Sequence, residues 1–278
     1  MTYRDLCRRL QDAGIESAEW DAQVLIEHFC SANEAMRCRL APSEEIICND
    51  AFTAAVERRL TRYPLQYLVG EWDFYHQTYE VTPDCLIPRS DTELLVEQAI
   101  KLLPQGARFA DLCTGSGCIA ISTLAERSDT SAIAVDKFPK TLAIAERNAK
   151  RNGVADRLQL RCADVLARNA LEGEGALDAI LCNPPYIRTE VLRELAPELS
   201  AEPVAALDGG EDGLIFYETL LRDAAQYLTR DGFFLFEIGY DQGEDLRRLG
   251  VQYGFDEIRV LRDLGGCDRV VYLSRTHA

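Results

Sequence analysis

The sequence is poor in metal ligands. Three histidines, His28, His76 and His277, are spread over 278 residues, and none of the ten cysteines forms a C-x-x-C pair. Zinc sites need several such groups at short spacing, so no metal is expected. Long apolar runs are also missing: no stretch of about 18 or more apolar residues occurs, the length that spans a bilayer as a helix. The charged start, Met1 to Asp5, has no apolar stretch that would act as a signal. A cytoplasmic protein without a membrane partner is expected, with its scattered cysteines as reduced, structural thiols. Basic residues are outnumbered as well. Lys and Arg total 30 against 46 Asp and Glu, a net charge of −16. Surfaces that hold nucleic-acid backbones neutralise phosphates with arrays of cations, so no direct nucleic-acid partner is expected. The acidic excess lies mostly beyond residue 70, which leaves the N-terminal part better suited to meet a macromolecular partner.

With 47 % hydrophobic residues the chain has material for a sizeable core, and its length suits two domains. From residue 2 to about residue 62 apolar side chains recur at helical spacing: Leu6 with Leu10, then Val24, Leu25, Ile26 and Phe29, then Phe52, Val56 and Leu60. Pro42 and Pro64 punctuate this bundle, since proline lacks the amide hydrogen an interior turn needs. The aromatic and β-branched stretch Trp72 to Val81 suggests a short hairpin. Ser90-x-x-Glu93 has the form of a capping box opening a helix through Leu102.

Beyond Gln105 short apolar runs alternate with helical ones, the signature of a parallel sheet covered on both faces. The expected strands are 108–112, 132–136, 158–162, 178–182, 233–238, 255–261 and 269–274. The organisation expected is therefore a helical domain over 1–66, a hairpin linker over 67–90 and an α/β domain over 91–278, doubly wound around a mostly parallel seven-stranded sheet.

Asp111-Leu112-Cys113-Thr114-Gly115-Ser116-Gly117 follows one such strand and precedes a helical run. Glycines there let the backbone turn sharply and approach a ligand. Asp136 ends the next strand, 21 residues after Gly115, where a carboxylate can accept both hydroxyls of a ribose. Asp164, past the third strand, is placed to accept from an adenine amino group. The loop alone fits a nicotinamide dinucleotide as well as S-adenosylmethionine, or a purely structural turn.

Asn183-Pro184-Pro185-Tyr186 stands at the end of a strand, on the crevice side of such sheets. Two prolines stiffen the segment and remove two amide donors, so its carbonyls are left as acceptors. An amide nitrogen is a poor nucleophile because its lone pair is delocalised. Acceptors around its hydrogens, the Asn183 side-chain oxygen and the Pro184 carbonyl, would aim it at a methyl group while Tyr186 covers the amide face. Transfer is then an in-line displacement with the proton leaving afterwards, and no dedicated base is needed. The competing reading is a proline-rich turn with a surface tyrosine. A glycine loop upstream at the right distance favours methyl transfer to a planar nitrogen.

These residues carry a resemblance to the release factor glutamine methyltransferases, the HemK or PrmC family. It extends through Pro64-Leu65-Gln66-Tyr67-Leu68, Leu86-Ile87-Pro88-Arg89, Thr92-Glu93, Ala206-Leu207-Asp208-Gly209-Gly210 and Glu237-Ile238-Gly239. The resemblance implies a Rossmann-like methyltransferase domain and S-adenosyl-L-methionine as cofactor. It also implies, as substrate, the glutamine of the Gly-Gly-Gln motif of peptide chain release factors, with the N-terminal helices helping to recognise that partner. Cofactor contacts would fall on Cys113, Thr114, Gly115, Ser116, Gly117, Asp136, Asp164, Val165 and Asn183. Asn183, Pro184 and Tyr186 would carry the chemistry, and the tetrad including Pro185 would hold the substrate. Cys113 departs from the glycine common at its position, as do Ser90-Asp91 from Pro-Glu and His76 from glycine.

Arg89 is a candidate at the pocket entrance, contacting substrate, or else a surface contact at a helix start. Asp208-Gly209-Gly210 is most simply a turn, and Glu237 either shapes the pocket or pairs at a strand end. The alternative function is methylation of exocyclic amines of nucleic acids, which similar Asn-Pro-Pro-aromatic motifs serve; the acidic charge opposes it. A nicotinamide oxidoreductase leaves the tetrad unexplained, and a non-catalytic relative leaves the intact Asp136 and Asn183 unexplained.

Overall fold

The computed structural model describes residues 1–275, so His277 lies outside the described residues. By its internal contacts the chain forms two compact units: Met1–Glu71 with Leu195–Ala201, and Trp72–Glu194 with Glu202 onward.

The first unit is helical, with α1 (Tyr3–Asp12), α2 (Ala18–Phe29), α3 (Ala32–Leu40), α4 (Asp50–Leu60) and the short α5 (Leu65–Val69). Thr2 starts α1 with a capping box: its hydroxyl accepts from the Asp5 amide at 3.1 Å while the Asp5 carboxylate accepts from the Thr2 amide at 3.2 Å. Leu6, Leu10, Leu25, Ile26, Phe52 and Val56 close the core, each such side chain stabilising by about 1.5–3 kcal/mol. Inside it Arg59 and Asp21 form a buried ion pair at 2.6 Å. The excursion 195–201 supplies Glu198, which accepts from Arg62 at 2.8 and 2.9 Å and lies 3.5 Å from Arg59.

One cysteine expectation is corrected here. Cys30, just past α2, and Cys48, just before α4, are joined in a disulfide with Cα atoms 5.3 Å apart. They are 18 residues apart in sequence, and it is the packing of α2 and α4 that brings them together. The other eight cysteines form no disulfide.

In the second unit the hairpin β1 (Glu71–Phe74) and β2 (Gln77–Glu80) precedes α6 (Glu93–Leu102). The main alternation follows: β3 (Arg108–Leu112), α7 (Cys118–Glu126), β4 (Ser131–Asp136), α8 (Pro139–Arg151), β5 (Leu158–Cys162), β6 (Leu177–Cys182), α9 (Ile215–Asp223), β7 (Leu228–Glu237), α10 (Gly243–Gln252), β8 (Glu257–Arg262) and β9 (Asp268–Ser274). The seven-stranded sheet has the order β5-β4-β3-β6-β7-β9-β8, with β9 antiparallel to both neighbours and the other adjacent pairs parallel.

Alternation along each strand feeds two cores. Phe234 and Phe236 pack with Ile180 beneath α9 and α10, whereas Phe233 and Leu235 pack with Phe109 beneath α6 and α7. The chain winds outward from β3 to β5 and returns to β6 on the other side of β3. That reversal opens a crevice at the carboxyl ends of β3 and β6, where such sheets bind ligands.

Two local expectations change. Ser90 does not cap α6; it begins a 3₁₀ turn, Ser90–Thr92, and the Glu93 carboxylate instead accepts from the Tyr75 amide at 2.9 Å, in the β1–β2 turn. β7 begins at Leu228 rather than Phe233, because its first residues extend the backbone ladder with exposed side chains. Among the described residues no helix is long and apolar enough to cross a membrane.

Candidate active site

The β3–α7 loop is a backbone device. Cys113, Gly115 and Gly117 have φ of 59°, 57° and 84°, in the left-handed region where a side chain is disfavoured. At Gly117 a Cβ would also sit 2.7 Å from Ile121 Cδ1 and 3.3 Å from Ala145 Cβ, so a side chain there would have to displace Ile121 and press on α8. Asp111, fully buried beneath the loop, organises it: one carboxylate oxygen accepts from the Thr114 hydroxyl at 2.6 Å and the Ala120 amide at 3.1 Å. Its other oxygen has no partner, and burial pushes the carboxyl up to about 7.

Asp136 closes the next strand. Its two oxygens accept from the Gly115 and Phe138 amides, each at 3.0 Å, and burial raises its carboxyl above the usual range. These bonds fix the carboxylate beside the glycine loop while leaving lone pairs for further donors. Burial also pushes Asp164 upward, but the Lys137 ammonium at 2.9 Å and the Leu166 amide outweigh it, so this carboxyl lies below its ordinary value.

A cavity of about 340 Å³ runs from this end to the tetrad. Cys113, Gly115, Asp136, Asp164 and Val165 line one part, and Asn183 and Pro185 another. Thr114, Ser116, Gly117, Pro184, Tyr186 and Arg89 lie outside the lining. Thr114 and Ser116 are buried within the loop. Arg89 ion-pairs with Glu202, whose carboxylate also accepts from the Ile87 amide at 3.0 Å, so it anchors the chain beside the cavity. Burial raises the Glu202 carboxyl, against the pull of Arg89.

The tetrad is held by side chains from distant positions. Asn183 Nδ2 donates to the Thr92 hydroxyl at 3.3 Å, leaving Oδ1 as the amide's acceptor. Tyr186 turns its hydroxyl to Glu237, donating to Oε1 at 3.4 Å. Gln242 Nε2 donates to the Tyr186 carbonyl at 3.1 Å and to the Gly213 carbonyl at 3.2 Å, while its oxygen accepts from the Gly239 amide at 2.9 Å. Residues 207–210 form more than a turn. Ile187 N donates to Leu207 O at 3.0 Å and Gly209 N to Ile187 O at 2.8 Å, a short parallel bridge backing the tetrad. A Cβ on Gly209 would lie 2.7 Å from the Tyr186 Cα, so only glycine allows this approach.

The PrmC N-terminal domain matches residues 2–70 and the methyltransferase small domain residues 90–211. The chain is 41 % identical to the release factor glutamine methyltransferase of Cereibacter sphaeroides over 266 residues, covering 95 % of this chain and 93 % of that one. It is 40 % identical to the Moorella thermoacetica protein of the same name, over 94 % and 93 % of the two chains. It is 37 % identical to that of Nitratidesulfovibrio vulgaris, over 96 % and 92 %. The chain belongs to the release factor glutamine methyltransferase family.

As a member of that family it places groups around the cavity that its motifs did not announce. Phe138, which follows Asp136 by two residues, and Pro203, Ala205 and Ala206 line the walls, as do Cys85 and Leu86. Of these, Leu86 and Ala206 fall inside stretches that carried the family resemblance, whereas Phe138, Ala205 and Cys85 had no signal there. Gln242 carried none: it is a lone polar residue near a helix start, and only the fold brings it to the tetrad.

Proposed function

We propose that this methyltransferase moves a methyl group from S-adenosylmethionine to the side-chain amide nitrogen of the glutamine in the Gly-Gly-Gln motif of peptide chain release factors. The observation that carries the reading is the tethered Asn183 amide. With Nδ2 bound to Thr92, Oδ1 is the atom that can accept from the hydrogens of a substrate amide, and Asn183 lines the cavity. The residues present suit the cofactor. A glycine loop whose left-handed backbone at Gly115 borders the cavity would receive its chain, Asp136 would accept the ribose hydroxyls, and Asp164 would accept from the adenine amino group. S-adenosylmethionine supplies, when bound, an electrophilic methyl group on a sulfonium.

The chain's own task is positional. Asn183 Oδ1 would hold one amide hydrogen from the cavity wall, and the Pro184 carbonyl, outside the lining but next to Asn183 in sequence, would take the other, so that the nitrogen lone pair is directed along the cavity and the surrounding dipoles meet the charge that develops. The proton of the methylated amide is then acidic enough to leave to solvent. Recognition of an intact release factor falls to the helical unit, the less acidic part of the chain, and the reaction takes place in the cytoplasm. Methylation of nucleic-acid amines is disfavoured by the net charge of −16. Incubation with methyl-labelled S-adenosylmethionine, purified release factors and total RNA, followed by mass spectrometry, tests the reading. Label on a release-factor glutamine is expected; label on RNA with none on the factors rejects it.

A further inference from the structure

We infer that Glu237 is a positioning residue for the transfer, acting through Thr92 to decide which atom of the Asn183 amide faces the substrate. The inference rests on the methyl-transfer reading above. Glu237 ends β7 and is 2 % exposed. It stands behind both ends of the tetrad: Oε1 accepts from the Tyr186 hydroxyl at 3.4 Å, and the Thr92 hydroxyl faces the same carboxyl. Oε2 has no hydrogen-bonded partner, so the carboxyl keeps an acceptor to offer the Thr92 hydroxyl, which favours its charged form. Thr92 is itself buried, and its oxygen accepts from Asn183 Nδ2 at 3.3 Å.

A hydroxyl has one hydrogen to give. An ionised carboxylate is an acceptor only, so it draws the Thr92 hydrogen toward itself and leaves the Thr92 lone pairs for the Asn183 NH₂ group. The Asn183 oxygen then faces the cavity, as an acceptor for a substrate amide. If the group at 237 becomes a donor, Thr92 is free to turn its hydrogen toward Asn183. The amide then gains by rotating, and its NH₂ group would meet the NH₂ group of the substrate, donor against donor. Buried polar chains of this kind are costly when partly satisfied, which gives the orientation its weight.

The charged and titratable groups around the carboxyl come from several elements. Burial pushes it up to about 7; Thr92 and the Arg269 guanidinium of β9 draw it down, and Asp91 in the turn before α6 draws it up. Arg269 is shared with Asp91 at 3.3 Å and Asp263 at 3.1 Å. Tyr186 and Tyr217 stand on the remaining sides, Tyr217 donating to the Glu237 backbone carbonyl at 2.8 Å, and Cys118 of α7 senses its charge.

The experiment measures kcat on a purified release factor, with both substrates saturating, for wild type, Glu237→Gln, Thr92→Val, Thr92→Ser and the Gln/Val double variant. Cofactor affinity and Tm are measured alongside. Glu237→Gln is expected to lower kcat roughly ten- to hundredfold with cofactor affinity within about twofold of wild type. Thr92→Val should match it, the double variant should lose no more than either single, and Thr92→Ser should recover most of the loss. Wild-type kcat should fall as pH drops through about 7, and this acid limb should be missing in Glu237→Gln. Wild-type kcat in Glu237→Gln, an unchanged acid limb, or multiplying losses in the double variant would each overturn the inference while leaving the reaction standing. Wild-type enzyme unable to methylate glutamine would overturn both.

Discussion

The two ends of the cavity are built by different means. At the glycine loop the shape is set by main chain, with left-handed residues held by bonds that reach no more than 21 residues, such as Gly115 N to Asp136. At the tetrad it is set by side chains and carbonyls, held by Thr92, Glu237 and Gln242 from 51 to 91 residues away, as the Tyr186–Glu237 and Asn183–Thr92 bonds show. Main chain cannot change its donors and acceptors, whereas a side-chain network can. The first arrangement suits affinity for a constant cofactor, and the second suits the orientation of one reacting atom.

Substitutions at the two ends should therefore fail in different ways. The largest effect is expected from Asn183→Ala, which removes the orienting acceptor and little apolar contact. Steady-state assay should show kcat lower by roughly a hundredfold or more, with cofactor affinity and Tm near wild type. Loss of cofactor binding in parallel would erase the distinction between the two ends. Asp136→Ala should do the reverse. Titration with S-adenosylmethionine is expected to show binding weaker by about 1.5–3 kcal/mol, the range for hydrogen bonds to a charged group. Unchanged affinity would remove Asp136 from the cofactor site.

A smaller effect concerns pH and the buried Asp111. Its folded-state value of about 7 exceeds the ordinary carboxylate value near 4, so between those limits the folded chain holds a proton that the unfolded chain has lost. Stability should fall as pH rises through that window and stay reduced above it. Asp111→Asn should make the decline of Tm from about pH 5 to about pH 8 shallower, without abolishing it, because Glu237 is shifted in the same direction. A slope unchanged by the substitution would place the proton elsewhere. The smallest effect is expected at Cys113. Glycine there relieves left-handed strain but adds unfolded-state freedom, so urea melts of Cys113→Gly should stay within about 1 kcal/mol of wild type. A larger loss would assign the thiol a packing role.

The same contrast explains what could be read in advance. Strands β3 and β5 fall on the expected residues, β3 as a bounded and almost wholly buried run and β5, at the edge of the sheet, as an alternating one. The first half of β7 did not, since a ladder bond needs no apolar side chain. The Ser90 capping box was a local pattern overridden by a distant partner, the Tyr75 amide. The Cys30–Cys48 bridge left no spacing signal at all. At the site, the glycine loop and tetrad were legible because each is a contiguous motif, whereas Thr92, Glu237 and Gln242 acquire their partners only through the fold.

The excursion 195–201 sets a timetable for synthesis. The helical unit takes its last segment from beyond the tetrad, so Arg59 and Arg62 leave the ribosome more than a hundred residues before Glu198. At about 5–20 residues per second that interval is roughly 7 to 28 s, during which Arg59 has Asp21 but neither it nor Arg62 has Glu198. The first unit to begin folding is thus finished only after most of the second has been made, and a nascent chain halted near residue 190 would carry the helices in an incomplete form.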